Sequence, residues 1–302
     1  MAKAKKILVV GSSNTDMSIK SDTLPLGGQT VLGGQFRMGA GGKGANQAVA
    51  AKRLGGDVTF ICKVGDDLFG NNSIKSYSNE GIVTDYILKC DQPSGVALIL
   101  VDDKAENCIS VAPGANAEFS VRDVETLAGV IRTCDILLLQ LEIPVASIFR
   151  AAQIASQAGK FVILNPAPAC RLPEEIFQYV DLFTPNQTEA EFYTGIEVSD
   201  TDSAAEAAAS LRNRGVKNVI ITMGSKGSMT YTASGDLFVP SRKVKAVDTT
   251  AAGDTFCGAV AVALSEGMSY RDSVTFATEA SSLTVQKPGA QDSIPYRKDL
   301  SL

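Results

Sequence analysis

The segment VDTTAAGDTF, residues 247–256, sets Asp248 and Asp254 around a run of small residues in a chain that contains no histidine. Without that proton carrier, serine-hydrolase and histidine-based acid/base schemes lose their base, leaving a carboxylate, a lysine or a tyrosine. Asp254 is the leading candidate. The residues after it, TFCGAVAVALSEG, put Phe256, Val260 and Leu264 on one helical face with Gly267 as the stop, so a helix starts near Gly253. The backbone N–H groups of Ala251, Ala252 and Gly253 then face a common space at the positive end of the helix dipole, an arrangement that binds anions and phosphate above all. A carboxylate at that turn can take the proton of an alcohol attacking phosphorus while the amides hold charge on the transferred group. The commoner use of the same position is a plain helix cap.

GAGGKGAN (39–46) carries Gly39, Gly41 and Gly44 at GxGxxG spacing, with Asp57 further on. A dinucleotide fingerprint belongs after the first buried strand, yet that strand, Ile7 to Val10, is followed by GSSNTD and the glycine run by contrast follows GGQFRM, which disfavours a dehydrogenase. A Walker-type loop fails because Gly44 stands after Lys43 where Ser or Thr is required. What remains is a glycine turn open to close approach of a ligand, with Lys43 and Asn46 beside it. Asn14 and Asp16 follow the first strand and Glu142 follows ILLLQL. Open α/β sheets bind ligands at such strand ends, so these five residues offer the donors and acceptors that a polyhydroxylated molecule needs. Each taken alone also suits a surface or capping position. TPNQTEAE puts Asn186 and Glu189 after another strand, and TMGSKG (222–227) is a glycine turn after NVIIT. The two suit a nucleotide, or are ordinary strand-to-helix turns.

The elements that must hold these residues alternate. ILVV (7–10), VTFICKV (58–64), ILLLQ (136–140), FVIL (161–164) and NVIITM (218–223) read as buried strands. KGANQAVAAKRLG, ending at Gly55, and SAAEAAASLRNRG, with Ser203 and Glu206 as a capping box and Gly215 as the stop, read as helices. The result is an α/β fold, a mainly parallel central sheet flanked by helices in Rossmann-like fashion. Two segments break the rhythm: residues 16–35, and SGVALILVDDKAENCISV (94–111), a hairpin turning near Asp102 to Ala105. They predict a small second sheet, lying over the main domain as a lid or pairing with another subunit. The expected division is a main domain of 1–13, 42–93 and 112–302 and a lid of 14–41 and 94–111.

A net charge of −5, with basic residues gathered only at Lys3, Lys5 and Lys6, argues against nucleic-acid and membrane surfaces and leaves small molecules or copies of the chain as partners. The six cysteines form no CxxC pair, which fits a reduced cytoplasmic setting and no zinc site. The N-terminal apolar run is too short for a signal peptide.

In their order, GSSNTDM, GAGGKGANQAVAAKRLGG, NQTEAE, TMGSKG, VDTTAAGDTFCGA and KPGAQDSIP resemble the ribokinase family of carbohydrate kinases over essentially the whole chain, the glycine-lysine-glycine segment and DTTAAGD most specifically. The resemblance implies a ribokinase-like fold whose β-sheet lid often forms the dimer contact, hence a homodimer. It makes Asp254 the base on the sugar's primary hydroxyl and Ala251, Ala252 and Gly253 the anion hole. Asn14, Asp16, Gly42, Lys43, Asn46 and Glu142 would hold the sugar. Asn186, Thr222, Gly224, Ser225 and Gly227 would line the ATP site, with Glu189 acting through water on Mg2+. Asp248, Thr250, Thr284, Lys287, Gly289 and Ser293 would surround a monovalent cation, usually K+, mostly through backbone oxygens. Thr278, in FATEAS, stands where relatives carry an adenine-side Asn or His, so contacts to the base differ. The implied reaction is ATP-dependent phosphorylation of D-ribose at its 5-hydroxyl. Fructose, deoxyribose and adenosine are the alternative acceptors, a nucleoside being disfavoured because only Phe36 offers a platform near the lid. A sugar-binding protein without turnover, the alternative from another class, would not need Asp254.

Overall fold

The computed structural model describes residues 5–104 and 106–301. Lys3, and Ala105 of the expected hairpin turn, lie outside them. The order is β1 (Lys6–Val10), β2 (Asn14–Lys20), β3 (Gln35–Gly41), α1 (Lys43–Arg53), β4 (Asp57–Ile61), β5 (Lys63–Gly65), α2 (Leu68–Asn79), β6 (Leu88–Cys90), β7 (Gly95–Val101) and β8 (Asn107–Ala112). There follow α3 (Val121–Thr126), α4 (Ala128–Thr133), β9 (Ile136–Leu139), α5 (Val145–Gln157), β10 (Phe161–Leu164), β11 (Leu182–Phe183), α6 (Gln187–Thr194) and α7 (Thr201–Asn213). The chain closes with β12 (Asn218–Thr222), β13 (Ser228–Thr232), β14 (Gly235–Val239), α8 (Ala252–Ser265) and α9 (Tyr270–Thr284).

The main sheet runs β14-β13-β12-β11-β10-β9-β1-β4, parallel from β12 to β4 with an antiparallel pair at the other edge. Its strands are apolar on both faces because both are covered. Ile7, Val9, Ile136, Leu138 and Ile163 pack with α1, α8 and α9, while Leu8, Val10, Leu137, Leu139 and Leu164 pack with the layer from α3 to α7. The chain order reverses between β1 and β9, so the crevice past their C-terminal ends is where such a sheet takes a ligand.

Two local expectations are corrected. VTFICKV is two strands: β4 ends at Ile61, the Cys62 carbonyl accepts from Leu88 N at 2.9 Å, and the chain continues as β5 in a separate two-stranded sheet with β6. The capping box of α7 is Asp200 with Ser203, since Asp200 takes the extended N-cap conformation and accepts from Ser203 N at 2.9 Å, starting the helix three residues before the predicted cap's first turn; Gly215, at φ 115°, remains the stop.

The second sheet has order β3-β2-β7-β8. Its register puts Asp16, Gly39, Ala97 and Val111 in one row, and Ser18, Arg37, Ile99 and Ile109 in the next on the same face. The opposite face carries Ile19, Phe36, Met38 and Leu98, all exposed, Phe36 at 61% and Met38 at 55%. The β7–β8 turn is closed by Asp102, whose Oδ1 accepts from Lys104 N and Glu106 N.

Candidate active site

Five parallel strands deliver polar residues to one place because each ends there: Asn14 after β1, Glu142 after β9, Asn165 after β10, Thr184 and Asn186 after β11, and Thr222 closing β12. The start of α8 and the inner face of the small sheet close a cavity of about 400 Å3 around them. Asp254 sits in the first turn of α8, 6% exposed. The N-cap, Ala251, has φ 60°, a left-handed conformation found at no other non-glycine among the described residues. Such a residue costs about 1–2 kcal/mol, and a methyl side chain keeps the cost at the low end. The strained turn aims amides into the cavity, although one of the three expected is otherwise used: Ala252 N donates to Thr249 O at 3.2 Å. Ala251 and Gly253 line the cavity, and the amides of Ala251, Gly253 and Asp254 meet no acceptor among the described residues. The amides left free at this turn are those of Ala251 and Gly253, with Asp254's own amide at the third helical position beside them.

Asp254 is held by two amides. Asn46 Nδ2 donates to Oδ2 and Gln47 Nε2 to Oδ1, both at 3.0 Å. All six residues expected on a sugar line this same cavity. Asn46 Oδ1 is buried without a donor among the described residues, as an atom awaiting a ligand hydroxyl would be. Asn14 Oδ1 accepts from Asn116 Nδ2 at 2.8 Å. Glu142 Oε2 ties β9 to the glycine turn, accepting from Ser12 Oγ at 2.5 Å and Lys43 N at 2.9 Å. The turn has to be glycine: Gly42 has φ 89°, and a Cβ on Gly44 would lie 2.5 Å from Ser12 N.

Three carboxyls, Asp254, Glu142 and Glu189, act on the Lys43 ammonium, and a fourth, Asp16, shares their cavity. Burial, then Glu142 and Asp254, push the Asp16 carboxyl up to about 6. For Lys43 burial is the largest single influence and opposes the charge, but Asp254, Glu142, Glu189 and Cys257 together outweigh it and raise the lysine above its ordinary value. Lys43 stays charged, and its charge makes the acid cluster tolerable.

On the far side, Asn186 and Thr222 are bridged as neighbouring parallel residues. Asn186 caps α6, its Oδ1 accepting from Glu189 N at 2.8 Å while Glu189 Oε2 accepts from Asn186 N at 2.9 Å, a capping box that occupies one carboxylate oxygen of Glu189. Glu189 Oε1 accepts nothing among the described residues, and burial foremost raises this carboxyl. Gly224, Ser225 and Gly227 form the tight turn past Thr222, and Thr278 lies half-buried on α9; these four are not brought to the cavity wall.

Beside the α8 turn, Asp248 Oδ1 accepts from Thr250 N and Oγ1 at 2.9 and 2.7 Å and Oδ2 from Gly289 N at 2.8 Å, so three of the six expected cation residues are clipped together by protein bonds alone. The carbonyls of Asp248, Thr250, Lys287, Gly289 and Ser293 accept no hydrogen bond among the described residues, which fits a cation held by backbone oxygens; that of Thr284 is taken by Lys287 N. No cluster of three or more Cys, Asp or Glu is arranged for a metal among the described residues, so a divalent ion here would lean on Glu189 and on a nucleotide's own phosphates.

The reading from sequence missed Gln47, Asn165, Thr184 and Cys257, and the apolar Ala97, Ile99, Ile109 and Val111 of the small sheet. Asn165 and Thr184 obey the strand-end rule that found Glu142, and could have been found by it.

A family model described as pfkB family carbohydrate kinase matches residues 4–297. The ribokinase of Haemophilus influenzae is 42% identical over 296 residues, covering 98% of this chain and 97% of that protein. The bifunctional ribokinase/ribose-5-phosphate isomerase A of Fructilactobacillus sanfranciscensis is 43% identical over 297 residues, 97% of this chain, which thus spans 55% of that longer relative. Among solved structures, Arabidopsis thaliana ribokinase complexed with ribose and ATP superposes with a TM-score of 0.90 at 33% identity, covering 98% of this chain and 97% of the other.

Proposed function

The chain belongs to the pfkB family of carbohydrate kinases, and we propose that it transfers the γ-phosphoryl group of ATP to the 5-hydroxyl of D-ribose. The observation that carries this is the sharing of one cavity by the Asp254 carboxylate, the unpaired amides of Ala251 and Gly253, and the sugar-type set Asn14, Asp16, Gly42, Lys43, Asn46 and Glu142. Asp16, Asn14, Asn46 and Glu142 hold the ring hydroxyls, and Lys43 supplies a donor within the acid cluster. Asp254 takes the 5-hydroxyl proton as the oxygen forms its bond to the γ-phosphorus and the bond to the ADP oxygen breaks. Charge on the transferred group is held by the amides at the α8 N-terminus. Asn186 and Thr222 bound the nucleotide side, with Gly224, Ser225 and Gly227 under the phosphates and Thr278 toward the base. Glu189 would reach, through water, a Mg2+ brought in with ATP, and that ion would supply neutralisation of phosphate charge. K+ between the loops at 248–250 and 284–293 would hold the anion-binding turn in shape.

The small sheet, 14–41 and 94–111, acts as the lid, its Ile99, Ile109 and Val111 excluding water from the transfer. Its outer face, with Ile19, Phe36, Met38 and Leu98 uncovered, supports a homodimer through the lids. No helix among the described residues is long and apolar enough to cross a membrane, and a cytoplasmic setting follows from the reaction's need for ATP.

The test is ADP release from ATP, Mg2+ and K+ across ribose, deoxyribose, fructose, adenosine and no acceptor. Ribose is expected to give the highest kcat/KM, and Asp254→Asn to lower kcat by about 10^3-fold or more with ribose binding retained. A better acceptor within the panel would overturn the substrate, and near-native turnover in Asp254→Asn would overturn the base.

A further inference from the structure

Gln47 lies one residue beyond Asn46 on α1, is fully buried, and does not reach the cavity wall. Its amide orientation is set by Asp254, whose carboxylate oxygens accept and do not donate. Gln140 Nε2, just past β9, donates to Gln47 Oε1 at 2.7 Å, so both N–H bonds of Gln47 point the other way. They go to Asn165 Oδ1 and Asp254 Oδ1, each at 3.0 Å. Asn165 in turn donates to Thr184 O at 2.9 Å, which anchors the chain of amides on the ends of three adjacent strands. Turning the Gln47 amide over would set oxygen against oxygen at Asn165 and Asp254 and N–H against N–H at Gln140, three lost bonds among buried groups.

We propose that Gln47 is a positioning residue for the catalytic base, holding Asp254 Oδ1 toward the protein interior so that Oδ2, beside Asn46, is the oxygen that takes the sugar's proton. The two carboxylate oxygens are thereby given different work. Oδ1 is bound by a residue that ligands cannot touch, and Oδ2 by Asn46, which lines the cavity and still has a free Oδ1 for a sugar hydroxyl. A general base acts only within hydrogen-bond reach of its proton, and a displacement of about 1 Å can cost about 10^2-fold in rate. Gln47 reaches the cavity only through Asp254 and Asn165, neither of them among the six residues set to hold the sugar, so it should affect the chemical step and leave binding alone. This rests on the reading of Asp254 as the base.

The experiment compares Gln47→Leu and Gln140→Leu with the wild-type enzyme by steady-state kinetics, ribose calorimetry and thermal melting. For Gln47→Leu the expected result is a kcat lowered about 10–100-fold with KM and Kd for ribose within about twofold. Gln140→Leu, which removes one of the three bonds that fix the Gln47 amide, should lower kcat by about 3–10-fold, the worth of one neutral hydrogen bond. Native kcat in Gln47→Leu overturns the proposal, as does a loss of ribose affinity that matches the loss of kcat, because Gln47 would then serve the shape of the pocket. If Gln47→Leu does not fold, Gln140→Leu decides by the same two readouts. Asp254→Asn separates the two levels: turnover in that variant removes the base itself, whereas an inactive Asp254→Asn with a native Gln47→Leu removes only the positioning role.

Discussion

Lowering the pH from 7.5 to 5 should weaken ribose binding about tenfold, through Asp16. This carboxyl projects from β2 over Gly41, where a Cβ would lie 2.1 Å from its Oδ2, and it shares the cavity with Glu142 and Asp254, which together with burial raise it to about 6. At that value about 97% of Asp16 is ionised at pH 7.5 and about 9% at pH 5. Sugar hydroxyls donate to the anion, so the complex favours the ionised form and the proton has to leave on binding. The affinity falls by the ratio of the ionised fractions, roughly tenfold or about 1.4 kcal/mol. Near pH 6 about half a proton should be released per ribose bound. The contribution of the same group to folding has the opposite sign. Its folded value lies above its unfolded one, so its stabilising contribution is complete below about 4 and is lost as the pH rises through 6. Acid therefore weakens the sugar site while this group favours the fold, and loss of binding cannot be unfolding driven by Asp16. The assay is ribose calorimetry without nucleotide, from pH 5 to 7.5, in buffers of differing ionisation enthalpy, with Asp16→Asn as the control whose weaker affinity is flat across the range. A wild-type Kd that is constant over the same range, or binding without proton release at pH 6, refutes the placement of Asp16 against the sugar.

Exchanging K+ for Na+ should lower kcat several-fold, and Asp248→Asn, which weakens the clip to Thr250 and Gly289, should abolish the difference between the salts; equal wild-type rates in both would remove the cation site. Gly227→Ala meets a φ of 118° and a Cβ 2.2 Å from Val239 O, so it should cost about 1–3 kcal/mol in stability and raise KM for ATP above KM for ribose; an unchanged melting temperature would contradict the geometry. Replacing both Phe36 and Met38 by Lys should turn a dimer into a monomer in sedimentation with the monomer still folded, and an unchanged sedimentation coefficient would place the subunit contact elsewhere.

The parallel sheet was legible because its strands are buried on both faces and so read as unbroken apolar runs, and most of the cavity wall was legible because polar residues gather at the ends of those runs. Asn14, Glu142, Asn186 and Thr222 were all found in this way. The same rule overran at VTFICKV, where hydrophobicity continues through Cys62 although the partner strand changes. It missed the inner face of the lid as a wall of the site, since Ala97, Ile99, Ile109 and Val111 read as ordinary strand residues until β7 and β8 are folded over the cavity. The turn before α8 was placed correctly, but the assignment of its amides depends on whether Ala252 closes on Thr249, a backbone detail that residue types do not encode.

Gln47 shows a kind of signal that pattern reading passes over. Within α1 every residue from Gly44 to Ala51 is buried, because the helix packs against both the sheet and its neighbour α8, and six of those eight are Gly, Ala or Val. Asn46, at the cavity wall, and Gln47, fully buried, are then amides that no neighbouring turn satisfies, and an unsatisfied buried amide costs about 1–3 kcal/mol. A helix that small and that apolar would tolerate Leu or Met at either position with no such cost. Two consecutive amides in it therefore imply two fixed polar partners reached through the packing. At the start of the facing helix α8 the partner is the same carboxylate, with one oxygen for each amide. The paired amides give the enclosed Asp254 carboxylate one fixed donor at each oxygen, the placement that a base for an alcohol proton would need.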